Sequence, residues 1–221
     1  MTIADIITAV SVAVAALAFV VGINAWRREF VGKRRIELAE DVLALFYEAQ
    51  DAIREIRNPF SYGGEGKTRK RSEHEIEEEG QFLDQAYVVF ERYQKREKLF
   101  AELRSLKYRL MATFGSHAGE PVDELYKIVN EIFSAANILG TYYWKRQGRV
   151  HMSEEEFQKH LGQMNKYEAI FWFMGEENDE ITPRVQLAVE KIEAIAREAS
   201  LMKVSWFQKR KKDNLKSKNR A

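Results

Sequence analysis

Residues 66–68 read Gly-Lys-Thr, and Arg69, Lys70 and Arg71 follow at once. This is the closest the 221-residue chain comes to phosphate chemistry. A phosphate-binding loop needs a further glycine five residues before that one, so that successive backbone amides turn onto the anion. Ser61 stands there instead. The pattern before the loop is helical, so the strand that should feed such a loop is absent and nucleotide binding of that kind is not expected. What survives is a simpler reading, in which Lys67, Arg69, Lys70 and Arg71 contact an anion or a lipid headgroup. A solvated turn explains the same residues.

Other chemistry is thin. The four histidines, His74, His117, His151 and His160, form no His-Glu-x-x-His motif, and no Glu-x-x-His pair exists for a di-metal bundle site. Glu154, Glu155 and Glu156 with His160 lie one turn apart, but acidic residues in a first helical turn answer the helix dipole more simply. The absence of cysteine removes disulfides, thiolate metal sites and thiol nucleophiles. No catalytic constellation, metal site or cofactor is therefore expected.

Two aromatic clusters sit at helix ends, Tyr142-Tyr143-Trp144 and Trp172-Phe173. Large rings at consecutive positions exceed one narrow helical stripe. They either close the end of a core or form a partner surface. A third cluster mixes Trp206 and Phe207 with Lys209, Arg210, Lys211 and Lys212, a composition suited to anionic lipid or nucleic acid, and also to a solubilising tail.

The elements that must carry these groups begin with a run free of formal charge from Ile6 to Trp26. As a helix it is roughly 31 Å long, the thickness of a bilayer's hydrocarbon core. Thr8 and Ser11 can bond back to their own helix. Only Asp5 precedes the run among charged residues, so the basic start of a secretory signal is missing. Trp26, Arg27, Arg28, Lys33, Arg34 and Arg35 then form an aromatic and cationic collar that marks the membrane interface. The positive-inside rule places the N-terminus outside and the remainder in the cytoplasm.

Charge is distributed unevenly. The net +1 resolves into +3 for residues 1–35, +7 for 203–221, and hence −9 for the stretch between. An acidic body between basic ends argues against a protein coated in nucleic acid. Few prolines and much Glu, Lys, Arg, Leu and Ala favour helices.

Ile36, Ala39, Val42, Phe46, Ala49, Ile53 and Ile56 continue the first helix up to Asn58-Pro59, because proline disfavours a helical predecessor. Phe82 to Phe114 reads as one long helix with coiled-coil spacing. Pro121 opens a third whose stripe runs from Val122 to Tyr143. Ser153 with Glu156 caps a fourth, and Thr182-Pro183 opens a fifth. The expected fold is all-α: an N-terminal transmembrane helix (1–26) continuous with an antiparallel cytosolic bundle of about five long helices (27–202), then a basic, disordered tail (203–221).

Such a chain is expected to be a single-pass protein-interaction or scaffolding module rather than an enzyme, with an unidentified protein partner or a second copy of itself. A membrane-tethered binder of nucleic acid or anionic lipid is the alternative, and a membrane-associated effector or toxin a second.

Overall fold

The computed structural model describes residues 3–175 and 179–218, with side chains through residue 201. Among the described residues every regular element is helical: α1 (Ile3–Ile56), α2 (Glu77–Lys95), α3 (Glu97–Phe114), α4 (Glu120–Ile138), α5 (Glu154–Phe171) and α6 (Ile181–Lys218). Two compact units result. The first holds residues 1–41 and 195–221, the second residues 42–194.

In the first unit, the early part of α1 is apolar on every face. Its most apolar 18-residue window has a mean hydropathy of 2.7 with none of it buried, so this helix is long and apolar enough to cross a membrane. Val12, Leu17, Phe19 and Val21 are each more than 60 % exposed. The two hydroxyls in the run are satisfied internally, Thr8 donating to the Ala4 carbonyl and Ser11 to the Ile7 carbonyl, each at 2.9 Å. Leu38 and Ala39 of α1 and Ile195, Ala196 and Ala199 of α6 are buried.

The second unit is an antiparallel helical bundle. Its core gathers Phe46, Phe100, Leu110, Leu125, Ile128, Ile132, Leu139 and Ile181, all essentially solvent-free. α4 packs against α2 and α5. Arg184 of α6 reaches two carboxylates about two turns apart on one face of α4, Glu124 at 2.7 Å and Glu131 at 2.5 Å.

The structure departs from the sequence expectation at three points. The helix read as continuous from Phe82 to Phe114 breaks at Arg96, which leaves helical geometry at φ −111° and ψ 9°. No proline or glycine marks the break, and Tyr93 and Phe100 still stack across it at 4.9 Å. The hydrophobic spacing runs on across the break, with a cation, Arg96 itself, at the stripe position where the helix is interrupted. α4 does not simply run on to Tyr143: residues Leu139–Tyr143 form a π-helical turn, followed by one α-helical turn at Trp144–Arg146. Finally, Thr182 does not cap α6. The Asp179 carboxylate accepts from the Ile181 amide at 3.1 Å and the Thr182 amide at 3.4 Å, and the helix starts at Ile181. The Ser153–Glu156 capping box is present as expected, with both reciprocal bonds formed.

A buried ion pair locks the bundle. Arg57 is 2 % exposed, just beyond the end of α1, and donates to the Ala169, Ile170 and Trp172 carbonyls at 2.7–3.1 Å. These oxygens close α5, where helix carbonyls lack intrahelical partners. The same guanidinium pairs with Asp179 at 2.8 Å. One arginine thus satisfies the end of α5 and the cap of α6 together. Burial works to raise the Asp179 carboxyl, but hydrogen bonds from Arg57, Thr182 and Ile181 hold it below its ordinary value.

Candidate functional site

Three places concentrate polar groups within the second unit. The first is the loop between α1 and α2, where the Gly-Lys-Thr lies. The Gly66 amide donates to Glu91 at 2.8 Å, the Thr68 amide to the same carboxylate at 3.0 Å, and the Thr68 hydroxyl adds a third bond. An internal carboxylate thus occupies the donors that a bound phosphate would need. Burial pushes Glu91 up, yet the donors from Thr68 and Gly66 bring it below its ordinary value.

Gly66 has φ +84°, and a Cβ there would lie 2.0 Å from the Asp84 carbonyl oxygen, so only glycine fits this approach. Neighbouring Arg92, 4 % exposed, donates to the Asn58 and Phe60 carbonyls at 2.6 and 2.7 Å and pairs with Glu65 at 2.7 Å. Its hydrogen bond holds Glu65 below the usual carboxylate range.

Of the four cations expected to contact an anion here, Arg69 bridges Glu75 and Asp84, and Arg71 bridges Asp84 and Glu77. Lys67 and Lys70 are exposed. Two of the four therefore fasten the loop to α2. The fastened backbone presents two uncovered rings, Phe60 at 79 % and Tyr62 at 82 % exposure.

The second place is the π turn. One extra residue in a helical turn shifts the phase of everything after it. That shift lets consecutive rings find separate neighbours. Tyr143 leans on His160 at 5.1 Å and Tyr167 at 5.5 Å, while Trp144 is buried against Phe171 and donates its ring N–H to Glu168 at 2.7 Å. Gly140 lets α2 approach, since a Cβ there would come within 2.7 Å of the Ala86 methyl.

Among the aromatics read as a partner surface, Trp144 packs the bundle's end. Trp172 is half-buried and meets Phe171 edge-on at 4.1 Å. Phe173 is half-buried, its amide bonded to the Arg57 carbonyl at 2.8 Å. Tyr143 is half-buried and Tyr142 exposed. Beside this turn lies a cavity of about 260 Å³ whose lining includes Tyr142, Tyr143, Arg146, His151, Lys159 and His160.

The third place is a cavity of about 430 Å³ next to the Arg57–Asp179 pair, lined also by Gln50, Phe173, Thr182 and Gln186. No group of three or more His, Asp or Glu side chains that could hold a metal occurs among the described residues.

In the first unit, Trp26 is 67 % exposed and stacks on Phe30 at 5.7 Å, with Arg34 over the Phe30 ring at 5.0 Å. Lys33 pairs with Glu37 at 3.6 Å, Arg28 donates to the Asn24 carbonyl at 3.2 Å, and Arg27 is exposed and Arg35 half-buried. The backbone of α6 is helical to Lys218, past the point where the sequence places the start of a tail. The side chains of Lys209, Arg210, Lys211 and Lys212 lie outside the described ones.

Sequence reasoning missed Arg57, Asp84, Glu91, Arg92 and Asp179. The available signal was weak: Arg92 follows Val89 by three residues on the apolar side of α2, where a charge needs a partner, and nothing local marks the other four. No family model matches the chain, and no curated protein or solved structure is significantly similar to it.

Proposed function

We propose that this chain is a single-pass membrane protein whose helical bundle is a non-enzymatic interaction module on the cytoplasmic face. The observation that carries the reading is the early part of α1, apolar all round and covered by nothing, followed by Arg27, Arg28, Lys33, Arg34 and Arg35. In water that surface far exceeds the few hundred Å² of apolar patch a soluble monomer shows. The cationic side is retained in the cytoplasm. The interaction role is supported by Phe60 and Tyr62, held out on a loop whose backbone Arg92 and Glu91 fix from below. Aromatic side chains on a preordered backbone give binding energy at small entropic cost.

A second reading, contact with anionic lipid by the basic end of α6, has one observation in its favour. The α6 backbone is helical to Lys218, and this end of α6 belongs to the same compact unit as residues 1–41, which hold the cationic collar.

The chain contains no native cysteine, so single introduced cysteines report topology without background. Thr2→Cys should react with an impermeant maleimide on intact cells, and Ser72→Cys only after permeabilisation. Release of the protein by alkaline carbonate, or the opposite labelling pattern, overturns the anchor or its direction. For the module, proximity labelling with the intact chain should lose specific neighbours on Phe60→Ala/Tyr62→Ala. An unchanged neighbour list refutes the role of that loop.

A further inference from the structure

We propose that the cavity beside the π turn binds a small organic phosphate monoester. Two buried side-chain nitrogens, Arg146 Nε and His160 Nε2, have no hydrogen-bond partner within the chain, and both belong to residues lining this one cavity. His160 is 7 % exposed, so bulk solvent reaches little of its ring. A buried polar atom without a partner carries a desolvation cost, so each such atom calls for a partner from outside the chain, a water, an ion or a ligand.

The charge of the lining selects an anion. Arg146 and Lys159 face the cavity with His151 and His160, against Glu156 as the one acidic residue, and a Glu156 oxygen is already engaged by the Ser153 amide at 2.9 Å. Arg146 lies over the Tyr142 ring at 4.7 Å. A guanidinium stacked on a ring keeps its in-plane N–H groups available, the geometry that receives oxyanions. Tyr143 adds a hydroxyl that burial, with Tyr167 and Tyr142 nearby, keeps protonated.

The number of donors favours phosphate over carboxylate. Arg146, Lys159, His160 and Tyr143 offer more hydrogen bonds than two carboxylate oxygens receive comfortably, whereas a monoester presents three terminal oxygens. Size sets the body of the ligand. At about 260 Å³ the cavity falls below the roughly 300 Å³ at which sites for drug-sized molecules begin. It takes a headgroup and one ring or short chain, not a nucleotide.

The test uses the full chain in phosphatidylcholine nanodiscs with phenyl phosphate as probe, read by calorimetry. Saturable binding is expected, weakened about tenfold or more by Arg146→Gln and by His160→Gln, as for loss of a charge-assisted bond. Lys159→Ala, at an exposed position, should weaken it severalfold and leaves folding intact. Benzoate should bind more weakly than phenyl phosphate. Competition by phosphatidic acid built into the nanodisc assigns the monoester to a lipid headgroup, and competition by glycerol 3-phosphate alone to a soluble metabolite. Absence of saturable binding up to about 10 mM probe, equal affinity for benzoate, or binding unchanged in both Arg146→Gln and Lys159→Ala overturns the proposal.

Discussion

Replacing Arg57 by methionine tests whether one buried arginine joins the end of α5 to the start of α6. The substitution keeps much of the apolar stem and removes the guanidinium. Three carbonyls, of Ala169, Ile170 and Trp172, lose their donor, and Asp179 keeps its charge while losing its partner at 2.8 Å. Both side chains of the pair are at most 3 % exposed, so water does not replace what is lost. Breaking a buried pair from one side costs about 3–5 kcal/mol. At about 2–4 °C per kcal/mol for a domain of this size, the melting temperature should fall by about 6–20 °C.

Thermal circular dichroism on the detergent-solubilised full chain measures this. Asp179→Asn should cost less, because asparagine still accepts from the Ile181 and Thr182 amides. The double variant should be milder than the sum of the two, with a coupling of about 1–3 kcal/mol. Because the pair is buried, the loss should change little between low and high salt. A drop of less than about 1 kcal/mol for Arg57→Met, or strict additivity with Asp179→Asn, refutes the shared-lock argument.

The same physics gives further expectations. Glu91→Gln leaves one of the Gly66 and Thr68 amides without its acceptor, so the loop should open at a cost of about 1–3 kcal/mol and limited proteolysis should cut within 58–76 sooner. Gly66→Ala forces a methyl against the Asp84 carbonyl at a positive φ, and thermal melting should show it to be more damaging than Gly63→Ala, where the added methyl meets nothing. Glu65, Glu91 and Asp179 are all held below their ordinary values. Their stabilisation is complete above the unfolded carboxylate range near about pH 4 and is lost as pH falls through the lower folded values. Urea midpoints should therefore stay level from neutrality to about pH 5 and drop below pH 4. A midpoint that rises on acidification contradicts the assignment.

The helices were legible because their signals are local. The proline after Asn58, the Ser153–Glu156 box and the uncharged stretch from Ile6 act over a few residues, and α1 ends at Ile56 while α5 starts at Glu154 as those signals require. The break at Arg96 was not legible, because a continuing hydrophobic period is compatible with both a straight and an interrupted helix. The π turn at Leu139–Tyr143 was half-announced by Gly140 and the run of rings, but which ring goes inward depends on the position of α5. Arg57 and Asp179 were invisible for the same reason. They lie 122 positions apart, and no pattern within one helix couples them.

The two anion-related features separate on a single physical criterion. At Gly66-Lys67-Thr68 the donors are spoken for: two amides and a hydroxyl converge on Glu91, and Arg69 and Arg71 are engaged by three carboxylates. A phosphate entering there would have to displace an internal anion already tethered at high effective concentration, and gains nothing in charge by doing so. Beside the π turn the donors outnumber the acceptors, and two enclosed nitrogens have none. Motif spelling pointed to the first place, and hydrogen-bond accounting points to the second. Neutralising the internal anion by Glu91→Gln should therefore create little phosphate affinity, because Asp84 and Glu75 stay to repel the ligand. Filling the second needs no such displacement. Phosphate binding by Glu91→Gln that equals or exceeds binding in the π-turn cavity shows the accounting to be wrong.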